Sequence, residues 1–177
     1  MSHHHSKPLR LLAIASSSRG FGFVVLEAGE SLVDWGVKAA KQDKNKNLLA
    51  KVQKLIAAYQ PDVLILQDMK GSRRAPRIRQ LNQHIIALAE TSKLRVKLIR
   101  DKQVKQVFFG EGEGTKQERA EIIAARFPNQ LSFRLPPKRR TWESEDGRMC
   151  MFDAAALALA HGFKKSSLND PAGKAEI

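Results

Sequence analysis

The apolar positions of the chain change period several times, and each change predicts an element. Residues 9–16 form a near-continuous apolar run, the pattern of a strand covered on both faces. Arg19-Gly20 marks a turn. Residues 21–26 and 31–37 read as two further strands joined at Ala28-Gly29-Glu30, so a three-stranded meander opens the fold. Over residues 43–59 the period becomes helical: Leu48, Leu49, Val52, Leu55, Ile56 and Tyr59 share one stripe, with Lys46, Lys51 and Lys54 off it. Gln60-Pro61 stops this helix, because the residue before a proline is pushed out of helical backbone. Residues 63–66 are then a short apolar strand, which makes the preceding helix a parallel crossover.

Residues 76–90 predict a second long helix, with Ile78, Leu81, Ile85, Leu88 and Ala89 as its buried stripe. A fifth strand follows at 96–99, a short helix at 102–108, with Phe108 and Phe109 expected in the core, and a longer helix at 116–127. An Ala-rich helix at 151–161 is expected to stop at Gly162. This order predicts an α/β fold with a mixed five-stranded sheet flanked by helices. One domain over 9–163 is expected, between a flexible N-terminus at 1–8 and a polar tail at 164–177.

Composition narrows the class. A hydrophobic fraction of 42% over 177 residues supports a sizeable core and argues against wholesale disorder. No apolar run approaches the roughly 20 residues that span a bilayer, so no membrane role is expected. The first eight residues lack the apolar stretch of a secretory signal, and His3-His4-His5 reads as a tag remnant or natural tail rather than a metal trio. The single cysteine, Cys150, permits no internal disulfide and suits a reducing cytoplasm. Charge is the strongest bulk signal. Thirty-one Lys and Arg against 18 Asp and Glu give +13, which favours a polyanion by counterion release. Nucleic acid is the default partner, with acidic lipid or an acidic protein surface as the alternative.

Four blocks carry the candidate chemistry. They are Leu11-Leu12-Ala13-Ile14-Ala15-Ser16-Ser17-Ser18-Arg19, Pro61-Asp62-Val63-Leu64-Ile65-Leu66-Gln67-Asp68, Lys105-Gln106-Val107-Phe108-Phe109-Gly110, and Asp153-Ala154-Ala155-Ala156-Leu157-Ala158-Leu159-Ala160-His161. In their order and spacing, over about residues 9–163, they resemble the RuvC-type Holliday junction resolvases of the RNase H-like superfamily. That resemblance implies an RNase H-like fold, branched double-stranded DNA as partner, a homodimer matched to a two-fold junction, and a cytoplasmic, nucleoid-associated location. It also implies a Mg²⁺ site made by four acids. Those positions fall on Ala15, Gln67, Cys150 and Asp153, of which only Asp153 carries a carboxylate.

Two-metal phosphodiester cleavage needs a pair of Mg²⁺ ions ~4 Å apart, each held by hard oxygen ligands. The Ala15 methyl supplies no ligand, Gln67 a neutral carbonyl, and Cys150 a soft sulfur unsuited to Mg²⁺. Asp68 is the obvious rescuer, although in a regular strand it points opposite to Gln67. Glu143, Glu145 and Asp146 lie just upstream of the last helix and are further recruits. Asp68 and Asp153 are therefore the candidate catalytic and metal-ligating residues. Each also has a plainer reading, Asp153 as the N-cap of the last helix and Asp68 as a solvated loop start. Cys150 reads as a buried small hydrophobe, and His84 and His161 as structural or surface residues. Residues 110–114 alternate Gly and Glu and read as a mobile loop, since the acids would repel phosphate.

Basic clusters supply the binding candidates. Lys70, Arg73, Arg74, Arg77 and Arg79 gather where the second helix begins, a placement that opposes the helix dipole unless an anion sits there. Lys105 and Lys116 belong to a stretch that is similar to the family's basic segment near the phosphate. Lys138, Arg139, Arg140 and Trp142 follow Pro136-Pro137, a stiff lead; the indole is expected to pack on the fold, with base stacking as the alternative. The family's aromatic wedge after the second acid has no counterpart at Met69-Lys70.

Three functions remain open on this reading. The first is a RuvC-like protein that binds branched DNA through Arg73, Arg74, Arg77, Arg79, Lys105, Lys116, Arg139 and Arg140, with metal-dependent cleavage lost or weakened and no cofactor. The second is a Mg²⁺-dependent structure-selective endonuclease, a junction resolvase or an RNA-processing nuclease, using Asp68 and Asp153. The third is a non-catalytic interaction module in a larger assembly.

Overall fold

A computed structural model describes residues 6–166, with backbone alone over 163–166. His3-His4-His5 and most of the expected polar tail lie outside the described residues. The strands are β1 (Arg10–Ser16), β2 (Gly20–Glu27), β3 (Ser31–Ala39), β4 (Val63–Gln67) and β5 (Arg95–Ile99). The α-helices are α1 (Lys44–Tyr59), α2 (Pro76–Thr91), α3 (Asp101–Phe109), α4 (Lys116–Arg126) and α5 (Met149–Ser166), with a short 3₁₀ turn at Ser132–Arg134.

One sheet in the order β3-β2-β1-β4-β5 organises the molecule. β1, β2 and β3 pair antiparallel as a meander, whereas β4 runs parallel to β1 and β5 parallel to β4. The α1 and α2 crossovers require this, because parallel neighbours cannot be joined by a tight turn. The continuous apolar runs of β1 and β4 are explained by their central position, since each is covered by helices on both sides.

Alternation along β1 sorts its side chains between two cores. Leu12 and Ile14 join Phe21, Phe23, Leu48, Val52, Leu64, Leu81 and Ile85 beneath α1 and α2. Leu11, Ala13 and Ala15 face the other way, with Val24, Val63, Ile65, Val104, Ile123 and nearly the whole of α5. Because successive strand side chains point to opposite faces, Ala15 and Gln67 share the α5 side with Asp153. The small side chains of α5 and β1 allow close approach. A Cβ on Gly22 would lie 2.2 Å from the Cys150 carbonyl and the Met151 nitrogen, so only glycine lets α5 cross β2 there.

Two local expectations need correction. Gly162 does not stop the last helix, which starts at Met149 and continues through Gly162 to Ser166. The glycine keeps helical backbone at a cost of about 1 kcal/mol, less than is lost by abandoning the last turn's hydrogen bonds. Phe108 and Phe109 are half-buried rather than core, because α3 lies at the rim of the α5 layer. In the glycine-rich loop the Gly112 amide donates to Phe109 O at 3.0 Å, and Gly114 leaves room for the Phe109 ring.

Candidate nucleic-acid interface

The carboxyl ends of β1 and β4 meet the start of α5, and this junction holds the candidate site. Ala15, Gln67 and Asp153 line one small cavity together with Asp101, Arg74, Lys116 and Arg119. Three of the four positions predicted from the resemblance thus converge. The fourth, Cys150, lines the adjoining larger cleft, which also contains Asp153 and Lys116.

Asp153 is the fifth residue of α5, not its cap, and its carboxylate is fully engaged. Arg119 Nη2 donates to Oδ1 at 2.9 Å, and Lys116 Nζ to Oδ2 at 3.0 Å. Lys116 also reaches Glu145 Oε1 at 3.1 Å. Burial opposes the Lys116 charge, but Asp153 and Glu145 outweigh it, so its pKa is raised and the ammonium is secured. Two cations therefore stand at Asp153, the one acid among the four positions that the resemblance picks out. Among the described residues no group of three or more His, Cys, Asp or Glu side chains is placed to hold a metal ion. The four positions do not fit a Mg²⁺ pair, since they offer a methyl, an amide, a thiol and a carboxylate already held by two cations, and the nearby Asp101 and Glu145 are themselves paired with Lys105 and Lys116.

Asp68 lies elsewhere. It follows β4, its amide donates to Ile99 O at 2.8 Å, and its Oδ1 accepts from the Lys70 amide at 3.0 Å. Its Oδ2 is 3.5 Å from Arg100 Nε. It lines a separate cleft with Arg79, Asn82 and Ile86 of α2. The alternation that sends Gln67 toward α5 sends Asp68 to the α2 side, so the structure does not bring Asp68 and Asp153 into one site. Asp146, another possible recruit, is committed to Arg148 at 2.8 Å. Hydrogen bonding from that guanidinium lowers its pKa to about 2.

Cys150 is buried, as expected for a small hydrophobe, and its Sγ donates to Gly147 O at 3.1 Å. Burial pushes the thiol up to about 11, which leaves it protonated and unreactive near neutral pH.

The larger cleft, of about 290 Å³, runs from the β1–β2 turn at Ser16, Ser17 and Ser18 to Arg19, Arg74, Lys116 and the start of α5. Arg74 Nη1 donates to Ser16 O at 2.8 Å, while Arg77 Nη2 donates to Ser18 O at 2.8 Å and Nη1 to Asn45 Oδ1 at 3.1 Å. The cations at the start of α2 thus find acceptors in the turn's carbonyls, and they brace the cleft wall. Ser16 Oγ is buried and has no hydrogen-bond partner among the described residues. A buried hydroxyl without a partner at a cleft wall marks a place where a ligand oxygen gains.

The other candidate cations scatter. Arg73 and Arg79 are exposed on the α2 side, and Lys105 is exposed and paired with Asp101 at 3.0 Å. Arg139 lines a rim cleft of about 400 Å³ that shares Arg19, Glu145, Asp146 and Gly147 with the cleft at Ser16 and Lys116. Trp142 does not pack on the fold. It is 77% exposed, with the Arg140 guanidinium 5.7 Å from its ring centroid. Sequence reasoning missed Arg119, Arg19 and Asp101. Arg119 had a faint signal: it lies three residues after Lys116 and four before Ile123, on the buried stripe of its helix.

No model of a known protein family matches the sequence, and no curated protein matches it. Solved structures do. RuvC from Thermus thermophilus aligns with a TM-score of 0.66 and 18% identity, over 90% of this chain and 96% of that one. T. thermophilus RuvC in complex with Holliday junction substrate gives 0.66 and 17%, again over 90% and 96%. The yeast mitochondrial Holliday junction resolvase gives 0.55 and 12%, over 91% and 82%. The fold is the RuvC-type, RNase H-like α/β fold, as the four sequence blocks imply.

Proposed function

We propose that this protein binds branched DNA of the four-way junction type through fixed cations, with metal-dependent cleavage lost or greatly weakened. The observation that carries the reading is the double engagement of Asp153 by Arg119 and Lys116, beside a residue 15 that has no ligand atom. A phosphate entering the cleft meets Lys116, Arg74, Arg19 and the unpartnered Ser16 hydroxyl, and it needs no divalent ion to bridge it to acids. A dication in the same place would face two neighbouring positive charges in a partly desolvated site. The net charge of +13 supplies the long-range attraction. The junction-bound neighbour supports the substrate class. A homodimer is part of the proposal, since two copies of the cleft would match the two-fold symmetry of the junction.

The test uses purified protein with labelled four-way junction and linear duplex, in EDTA and in Mg²⁺ or Mn²⁺. Junction-selective, salt-sensitive binding of equal strength in EDTA, without nicking, is the expected result. Metal-dependent nicking abolished by Asp153→Asn would overturn it, as would equal affinity for both DNAs.

A further inference from the structure

We infer that Trp142 is a base-stacking residue, taking an unpaired nucleobase next to the phosphate held in the cleft. The inference rests on the nucleic-acid reading above and deepens it.

Among the described residues Trp142 is the most exposed large hydrophobic side chain, at 77%, and its position is held by local hydrogen bonds. The segment from Arg140 to Glu143 closes on itself: the Glu143 amide donates to Arg140 O at 3.1 Å, and the Arg140 amide to Glu143 Oε2 at 3.0 Å. Arg140 covers the ring from one side by a cation–π contact. An indole so placed offers a flat apolar surface to water, which is costly unless something flat covers it. Every base has a π face, and aromatic–base stacking is tolerant of sequence.

Charge indicates which partner covers it. Lys138, Arg139 and Arg140 precede the ring, and Arg139 and Arg19 line the rim cleft that merges with the main one. A strand with its phosphate against Arg19 and Lys116 would pass Arg139 at the rim, on the side away from Glu145 and Asp146, which are held by Lys116 and Arg148, and reach Arg140 and Trp142 next in the chain.

The experiment titrates the full-length protein with a four-way DNA junction carrying 2-aminopurine at the branch point, in EDTA. Binding should quench the 2-aminopurine, and it should also quench an indole emission that Trp142→Phe removes while half-buried Trp35 remains. Trp142→Ala should weaken junction binding about 5- to 100-fold with little change in salt slope or melting temperature, and Trp142→Phe should restore most of the affinity. Wild-type affinity in Trp142→Ala with unchanged 2-aminopurine emission overturns the stacking role alone, provided Lys116→Ala still weakens binding. Absence of junction binding overturns both this inference and the DNA reading. Quenching of Trp142 by an acidic protein but not by the junction assigns the ring to a protein partner, and overturns the inference too.

Discussion

The guanidinium of Arg119, 8% exposed, meets the carboxylate of Asp153, 16% exposed, at 2.9 Å, at the position where the RuvC resemblance places a metal ligand. A side chain from α4 thus does for Asp153 what a cation from solution would otherwise do. The pair joins α4 to α5 across the mouth of the cleft.

Breaking that pair leaves a charge in a mostly buried place. Arg119→Met should lower stability by about 3 kcal/mol, as for other buried pairs that lose one partner, with Lys116 limiting the damage. Arg119→Met combined with Asp153→Leu should recover most of the loss. Urea unfolding of the two single variants and the double variant measures the coupling. Additive losses would show that the pair does not act as a unit.

Phosphate contacts reveal themselves through salt. Lys116→Ala and Arg19→Ala should each reduce the slope of log K against log salt for junction binding by about 1. Exposed Arg73, on the α2 side, should give a smaller change. Equal slopes for all three variants would place the DNA path elsewhere.

Gly22 has no room for a side chain. A Cβ there would sit 2.2 Å from backbone atoms of Cys150 and Met151, which cannot swing aside as a flexible side chain would. Gly22→Ala should cost at least about 3 kcal/mol, and thermal melting reads this directly. A melting temperature within a degree or two of wild type would mean that α5 can lift off β2.

The Cys150 thiol should be inert in the folded protein. With its pKa raised to about 11 by burial, it should react slowly with thiol reagents near neutral pH and rapidly after denaturation. The sign of the linkage follows. The folded state prefers the protonated thiol, so this contribution is complete below the unfolded value and fades as pH climbs toward 11. Fast stoichiometric labelling at neutral pH would contradict the burial.

Asp146 should titrate near 2, because the Arg148 guanidinium hydrogen-bonds its ionised form. Its contribution to stability is present above the ordinary carboxylate range and is lost as pH falls toward 2. Arg148→Gln should return the titration to the usual range, which side-chain NMR would follow. An unchanged Asp146 titration in that variant would remove Arg148 as the cause.

Every strand and α-helix among the described residues was legible in the sequence, most to within two residues, since period-2 and period-3.6 patterns report which side is buried, while the 3₁₀ turn at Ser132–Arg134 was not. Helix ends were harder to read. Gly162 has the residue type of a stop, but it sits within a helix that begins two residues before Met151 and continues past it. That shift moved Asp153 from a cap to an interior position, where it could meet α4. Trp142 was misjudged for a related reason: an indole in a loop packs only if a neighbouring surface is within reach, and sequence does not report that.

The chain by itself determined its strand and helix order, its basic character, and which of the four positions picked out by the resemblance lack carboxylates, because composition and periodicity are local quantities. Only the tertiary structure decided which charges meet. Lys116 and Arg119 of α4 meet Glu145, which precedes α5, and Asp153 within α5, while Asp68 and Gln67 are neighbours that the pleat sends to opposite sides of the sheet. Contacts of that kind depend on how α4 and α5 pack over β1 and β4, and no spacing along the chain encodes them.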